Sequence, residues 1–317
     1  MERLGLILRA IIRHLTPSSD TPIFAFMKFN ELLARFQTEE DCKEFLVARR
    51  WPDGITCPRC GNVKVWEVKS RPFHWLCKGC NKNGYRFSVI TGTIFENTKY
   101  PLREWFKVAF LMYHSKKGMS AHQIHRMLGT GSYETAWYMC HRIRVAMQNS
   151  AKGQLFGTVE VDETFVGGKA YNKHGGRSGG GRGGIGSGKT PVVGAISRKG
   201  KVTARVIESV DAATLQRFVR QTVSDKVDLI VTDEWTGYRN VKHEYPHAVV
   251  RHTKGEYVRG VVHTNTIEGF WSMFKRGIIG NFHHVSRTYM PLYINEFEFR
   301  HNNRDNEDPF GTLIASC

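Results

Sequence analysis

Three carboxylates stand out by the setting in which each occurs. Asp162 lies in Val159-Glu160-Val161-Asp162-Glu163-Thr164-Phe165-Val166, where valines and an aromatic alternate with acids before Gly167-Gly168. That alternation is the period of a strand with one buried face. Asp233 closes the apolar run Val227-Asp228-Leu229-Ile230-Val231-Thr232, a second strand. Glu268 falls early in an amphipathic helical stretch that begins near His263. An isolated strand would simply leave its acids in water. Two strand acids and one helix acid can instead converge on one pocket. Hard oxygen donors suit a pair of divalent cations such as Mg²⁺, which keep waters and need few protein ligands. Mn²⁺ can substitute in such a site. Glu160, Glu163 and Glu234 flank these acids. Those directly next to Asp162 and Asp233 point to the other strand face and receive no metal role.

A different donor set lies upstream. Cys57-Pro58-Arg59-Cys60 and Cys77-Lys78-Gly79-Cys80 are two C-x-x-C pairs. The interval between them falls within the roughly 15–20 residues typical of four-cysteine zinc sites. Four thiolates at such spacing suit tetrahedral Zn²⁺ with no open position, a structural ion. Trp66, Lys69, Arg71, Phe73, His74, Trp75, Lys78, Lys82, Tyr85 and Arg86 surround the pairs. These side chains could form a DNA-contacting face or the ribbon's own small core. Cys42, Cys140 and Cys317 read as free thiols.

The elements that must position these groups follow from periodicity and caps. Residues 1–26 form an extension with the linker composition Thr16-Pro17-Ser18-Ser19-Asp20, and residues 27–100 a helix and the zinc ribbon. Thr38-Glu39-Glu40-Asp41 opens a helix that reaches Arg50. Residues 101–152 read as helical, with a helix after Pro101, a capped helix from Ser120 to a stop at Gly129, and another from Ser132. The last two form a helix-turn-helix candidate, with Arg142 and Arg144 facing DNA. His122, His125 and His141 read as helix-surface residues. In residues 153–317 the order is a strand at 157–166, strands at 191–197 and 201–209, a helix over 212–223, a strand at 227–232, a strand near 247–252, a helix from 264 and a helical stretch at 288–302. That order is the order of a ribonuclease-H-like α/β domain. Trp271 and Phe274 read as its core. The chain as a whole is thus an α+β multidomain protein.

The formal net charge of +17 over 317 residues points to a polyanionic partner. No stretch approaches the ~20 apolar residues of a membrane span. Leu4–Leu8 is broken by Arg9 and Arg13 without a small-residue cleavage site, so no leader is expected. Together with the cysteine usage, this points to a cytoplasmic, nucleoid-associated protein. Between Gly167 and Thr190 lie many glycines, Lys169, Lys173, Arg177, Arg182 and Lys189, and no acid. This composition suits a basic loop that follows a phosphate backbone. Gly183–Thr190 matches G-x-x-x-x-G-K-[ST], but glycine precedes it and a strand follows, the reverse of the context a nucleotide loop needs.

The stretches VEVDETFVGGK, VTDEWTGY, HTNTIEGFWSMFKRGI and INEFEFRHNNR, with the CPRCG…CKGC ribbon, resemble DDE transposases of a bacterial insertion-sequence family. This is the family numbered fifteen-ninety-five, with the ISXO-type elements. The resemblance spans roughly residues 29–304. It implies that Asp162, Asp233 and Glu268 are the catalytic, magnesium-binding triad. Some members carry Asn at the third position, which makes Asn265, one turn before Glu268, a reserve ligand. It further implies binding of double-stranded DNA at inverted repeats and at a target, Mg²⁺-dependent cleavage and strand transfer, and a homodimer or larger assembly. Lys275 and Arg276, about two turns beyond Glu268, are expected to hold a phosphate. Two other functions fit the same residues: a DNA-binding regulator on an inactive catalytic scaffold, and a metal-dependent nuclease without strand transfer.

Overall fold

The computed structural model describes residues 27–80, 82–148, 153–167, 189–251 and 262–317. The extension 1–26 and the loop residues Lys169, Lys173, Arg177 and Arg182 lie outside the described residues.

The N-terminal half begins with α1 (Phe29–Arg35) and α2 (Glu39–Arg50). A reciprocal cap starts α2: Asp41 N donates to Thr38 Oγ1 at 3.1 Å, and Thr38 N to Asp41 Oδ2 at 2.7 Å. The antiparallel ribbon β1 (Val65–Glu67), β2 (His74–Cys77) and β3 (Tyr85–Ser88) follows. Then come α3 (Leu102–His114), α4 (Ala121–Leu128) and α5 (Tyr133–Ala146). Glu39 of α2 caps α3, accepting Leu102 N at 2.9 Å and Arg103 N at 3.1 Å. Serines cap the next two helices, and Gly129 ends α4 with a φ of 62°, a left-handed turn that favours glycine.

In the C-terminal half one five-stranded sheet has the order β6-β5-β4-β7-β8, from β4 (Thr158–Val166), β5 (Thr190–Ser197), β6 (Val202–Val206), β7 (Leu229–Thr232) and β8 (His247–Val249). β4, β5 and β6 are antiparallel neighbours, whereas β7 and β8 run parallel to β4. α6 (Ala212–Thr222) covers one face and α7 (Asn265–Gly277) the other. The period of two sorts the β4 side chains. Val159 and Val161 join Leu215 and Phe218 of α6, while Val166 joins Ile267 and Trp271 of α7. Glu160 and Asp162 share the α7 parity. Opposite Asp162 on β5 is Gly194, where an added Cβ would lie 2.7 Å from the Trp271 ring. Absence of a side chain there lets α7 cross the sheet beside Asp162. Trp271 and Phe274 are core, as expected.

The sequence-based element order holds, with strands at 202–206 and 247–249 shorter than expected. One boundary changes. Residues 153–317 were expected to form one unit, but α8 (Met290–Asn302) touches both halves, and α9 (Pro309–Ala315) packs into the N-terminal core. Phe310 meets the rings of Phe36, Phe45, Phe106 and Phe110 at 5.5–6.3 Å. Asp308 pairs with Arg49, and Ile94 N donates to Cys317 O at 2.9 Å. The reason is local: Phe310, Leu313 and Ile314 have too little chain around them to make a core alone and fill one already formed. Phe310→Ala is expected to cost about 3–5 kcal/mol, read as a lowered denaturation midpoint, and a loss below about 1 kcal/mol would show that the tail is dispensable to the core.

Candidate active site and zinc centre

Strand register brings the first two acids together. Thr158, Val159 and Glu160 of β4 pair with Leu229, Ile230 and Val231 of β7. Continued by two residues, that register sets Asp162 beside Asp233, on strands about 4.8 Å apart. Asp233 stands one residue beyond β7, and its Oδ1 accepts Trp235 N at 3.0 Å. Glu268 is in the first turn of α7, exposed, with Thr264 Oγ1 donating to its Oε1 at 2.7 Å. Asn265, the reserve ligand, opens the same helix and is exposed.

Electrostatics report the convergence independently. Burial pushes the Asp162 carboxyl up to about 8, and the charges of Glu163, Asp233 and Glu268 push in the same direction. Asp233 and Glu268, both expected from sequence, therefore act on Asp162, and Glu163 does so too. Glu163 is itself raised by burial, while Tyr238, buried on the opposite sheet face, donates its hydroxyl to Glu163 Oε2 at 2.7 Å. Sequence parity had put Glu163 on that other face, and the Tyr238 bond agrees. Its electrostatic reach to Asp162 and Asp233 was not anticipated.

Lys275 is half-buried. Burial lowers its ammonium pKa, the Asp162 charge opposes that, and Lys189 adds to the lowering. Both lysines thus come within electrostatic range of the acids' surroundings. Arg276 is exposed and donates its Nε to Ser272 O at 3.1 Å.

The paired arginines of the helical hairpin separate. Arg142 is half-buried, donating to Tyr138 Oη at 2.8 Å and to Glu96 O at 3.3 Å. Arg144, expected to face DNA, is instead 1% exposed, bonded to Glu296 Oε2 at 2.7 Å with the Tyr293 ring 4.0 Å from its guanidinium. α8 packs over that face of α5, so Arg144 is removed from the DNA-facing set. His141, expected at the surface, is also buried, tilted against the Trp137 ring 4.0 Å away and held to a pKa of about 4 by burial and the Arg144 charge.

Glu160 is the acid that sequence reasoning passed over. It is fully buried, and its carboxylate accepts from Arg198 and from the first turn of α7. Its parity with Asp162 was the signal available.

Among the described residues, Cys57, Cys60, Cys77 and Cys80 form the one group of three or more His, Cys, Asp or Glu side chains whose ligand atoms all lie within 4.8 Å of one another. Their sulfur separations of 3.3–3.9 Å match the edge of a tetrahedron of about 2.3 Å zinc–sulfur bonds. Burial raises the Cys57 thiol, but hydrogen bonds from the backbone N–H groups of Arg59 and Cys60 and from the Cys80 and Cys60 thiols together bring it down to about 7. The donor set therefore fits zinc, with the Arg59 and Cys60 N–H groups directed at the Cys57 sulfur. The surrounding aromatics divide: Trp75 and Phe87 are buried with Trp51, whereas Trp66 is 49% exposed with Lys78 Nζ 5.2 Å from its ring. The three carboxylates are grouped more loosely than the sulfurs. Two cations about 3.5–4 Å apart that keep waters fit such a looser oxygen set.

Residues 154–302 match the family model described as ISXO2-like transposase domain, and residues 37–83 match the transposase zinc-ribbon domain. The chain is 29% identical over 281 residues to an uncharacterized protein in transposable element ISH50 of Halobacterium salinarum, covering 84% of this chain and 91% of that one. A solved structure, the crystal structure of a pre-cleavage Mos1 transpososome, aligns over 90% of this chain and 96% of that chain at 11% identity, with a TM-score of 0.20, and supports no argument.

Cys77→Ser is expected to lose bound zinc and to loosen residues 57–80, seen as metal content below one ion per chain and as increased proteolysis there. A variant that keeps a full zinc ion would remove Cys77 from the site. Asp162 makes a second prediction. A carboxyl raised to about 8 takes up a proton on folding, so its contribution to stability falls as pH rises from about 4 toward 8. Asp162→Asn removes that penalty. It should raise the melting temperature by a few degrees near neutral pH without Mg²⁺ and make no difference near pH 4. Added Mg²⁺ should stabilise the parent chain and not the variant. A variant melting below the parent at neutral pH would contradict a carboxyl that burial and its acidic neighbours penalise when charged.

Proposed function

Since the chain belongs to the ISXO2-like transposase family, we propose that it is an insertion-sequence transposase that binds element-end inverted repeats and catalyses Mg²⁺-dependent DNA cleavage and strand transfer. The observation that carries this reading is the register that sets Asp162 beside Asp233, with Glu268 on the helix that crosses them. The strand order, three antiparallel strands followed by two parallel ones, supports the ribonuclease-H-like reading of the catalytic domain.

Asp162, Asp233 and Glu268, with Asn265 in reserve, are the residues that would hold two divalent cations. These ions, when bound, activate the attacking oxygen and neutralise charge on the scissile phosphate and the leaving oxygen. The chain's own groups do the rest. Asp162 must give up the proton that burial, with the neighbouring charges, holds on it before it can act as a ligand, so metal binding and deprotonation would be linked. Lys275, from the same helix as Glu268, offers an ammonium to a phosphate oxygen of the strand, and Lys189 brings the base of the glycine-rich loop to the same place. Water attacks at the element end and frees a 3′-hydroxyl. That hydroxyl then attacks the target strand. The zinc ribbon and the α4–α5 hairpin, with Arg142, bind the duplex, and a dimer or larger assembly holds the two ends.

The test is incubation with Mg²⁺, a labelled element-end duplex and a plasmid target. Joined products are expected. Nicked ends alone would favour a nuclease, and binding alone a regulator. Asp233→Asn should reduce cleavage by at least about 10³-fold while end binding stays within about twofold. Unchanged cleavage would take Asp233 out of the mechanism.

A further inference from the structure

We propose that Glu160 is a positioning residue that locks the helix carrying Glu268 to the strand carrying Asp162 and so sets the spacing of these two acids. The inference rests on the reading of Asp162 and Glu268 as metal-holding residues.

Glu160 is 0% exposed and stands two residues before Asp162 on the same face of β4. Its Oε2 accepts Thr266 N at 2.8 Å and Ile267 N at 3.0 Å, and its Oε1 accepts Thr266 Oγ1 at 2.9 Å. Those N–H groups belong to the first turn of α7, where a helix has no internal partner for its donors. Thr264, immediately before the helix, supplies no side-chain cap, because its hydroxyl donates to Glu268 instead. The cap therefore comes from the sheet, as a carboxylate at the positive end of the helix.

The counter-charge reinforces the same joint. Arg198 Nε donates to Glu160 Oε1 at 2.8 Å, and its Nη2 donates to His263 O at 2.9 Å, on the segment that leads into α7. His263 Nδ1 lies 3.3 Å from Oε1. Both carboxylate oxygens are thus engaged, which leaves Glu160 unsuited to be a further metal ligand. Packing alone would not do this work. Trp271 over Gly194 sets how closely α7 approaches the sheet, but apolar contact is non-directional and tolerates sliding along the helix axis. Hydrogen bonds to the terminal N–H groups are directional and fix that axial position. One turn of slip is about 5.4 Å, so a fraction of a turn would carry Glu268 away from Asp162.

The experiment uses the full chain and two readouts: Mn²⁺ binding followed by electron paramagnetic resonance, and strand cleavage at limiting and saturating Mg²⁺. Glu160→Gln keeps the shape but turns an amide N–H toward helix donors. It is expected to weaken Mn²⁺ binding about tenfold and to lower cleavage most at limiting Mg²⁺, with end binding and zinc content unchanged. Thr266→Ala removes a single bond to Glu160 and should act in the same direction by about two- to threefold; it serves if Glu160→Gln does not fold. A Glu160→Gln protein that melts earlier yet binds Mn²⁺ like the parent would reduce Glu160 to a structural ion pair and overturn the proposal. So would unchanged Mn²⁺ binding in Thr266→Ala where the first variant fails to fold. Asp233→Asn is the reference: if it still binds Mn²⁺ and cleaves, the active-site reading itself falls, a result distinct from failure at Glu160.

Discussion

Like charges gathered at one end of a sheet repel, and that repulsion is the constraint around which the C-terminal half is built. Burial pushes the Asp162 carboxyl up to about 8, and the charges of Glu163, Asp233 and Glu268 add to that push. In water such groups would drift apart. Here β4 and β7 are locked by a parallel ladder, and α7 is pressed onto the sheet where Gly194 leaves room for Trp271. The free energy that holds the acids together comes from valines, isoleucines and aromatics that take no part in any chemistry.

Two kinds of site coexist in the chain and illustrate opposite designs. The four cysteines stand at tetrahedral spacing, with backbone N–H groups lowering the thiol of Cys57. Such a closed set suits an ion that stays. The carboxylates are grouped more loosely, partly exposed and flanked by Lys275 and Lys189. An open set of hard donors leaves room for waters and for a phosphate. Between the two, α8 acts as a brace. Its Glu296 joins Arg144 of α5 to Arg300, and its Asn302 exchanges two hydrogen bonds with Val202 of β6. A buried ion-pair network of this sort favours one arrangement of the halves, because any other would strand a charge away from water.

Much of this was legible along the chain. Alternation identified β4, the capping residues Thr38, Ser120 and Ser132 marked helix starts, and the cysteine pairs announced their own geometry. The three acids were singled out because each sits within or at the end of a recognisable element. What misled was treating a basic or imidazole side chain on an amphipathic helix as solvent-facing. Arg144 and His141 lie on the face that α8 covers, and no local pattern in residues 133–146 tells which side a distant helix will take. The tail escaped notice for a similar reason, since seven helical residues carry little periodicity and depend on Phe36, Phe45, Phe106 and Phe110 to exist as α9.

By itself the sequence determined the donor types, the element order and the strand parity of Asp162, since these follow from side-chain chemistry and from periods of two and 3.6 residues. Only the tertiary structure decided the partners of the buried charges: Glu160 at the start of α7, Arg144 against Glu296, and Tyr238 against Glu163. A buried charge is tolerated only with a partner in place, and these partners arrive from elements dozens of residues away. Their identity belongs to the packing of the whole chain, where local propensity has no influence.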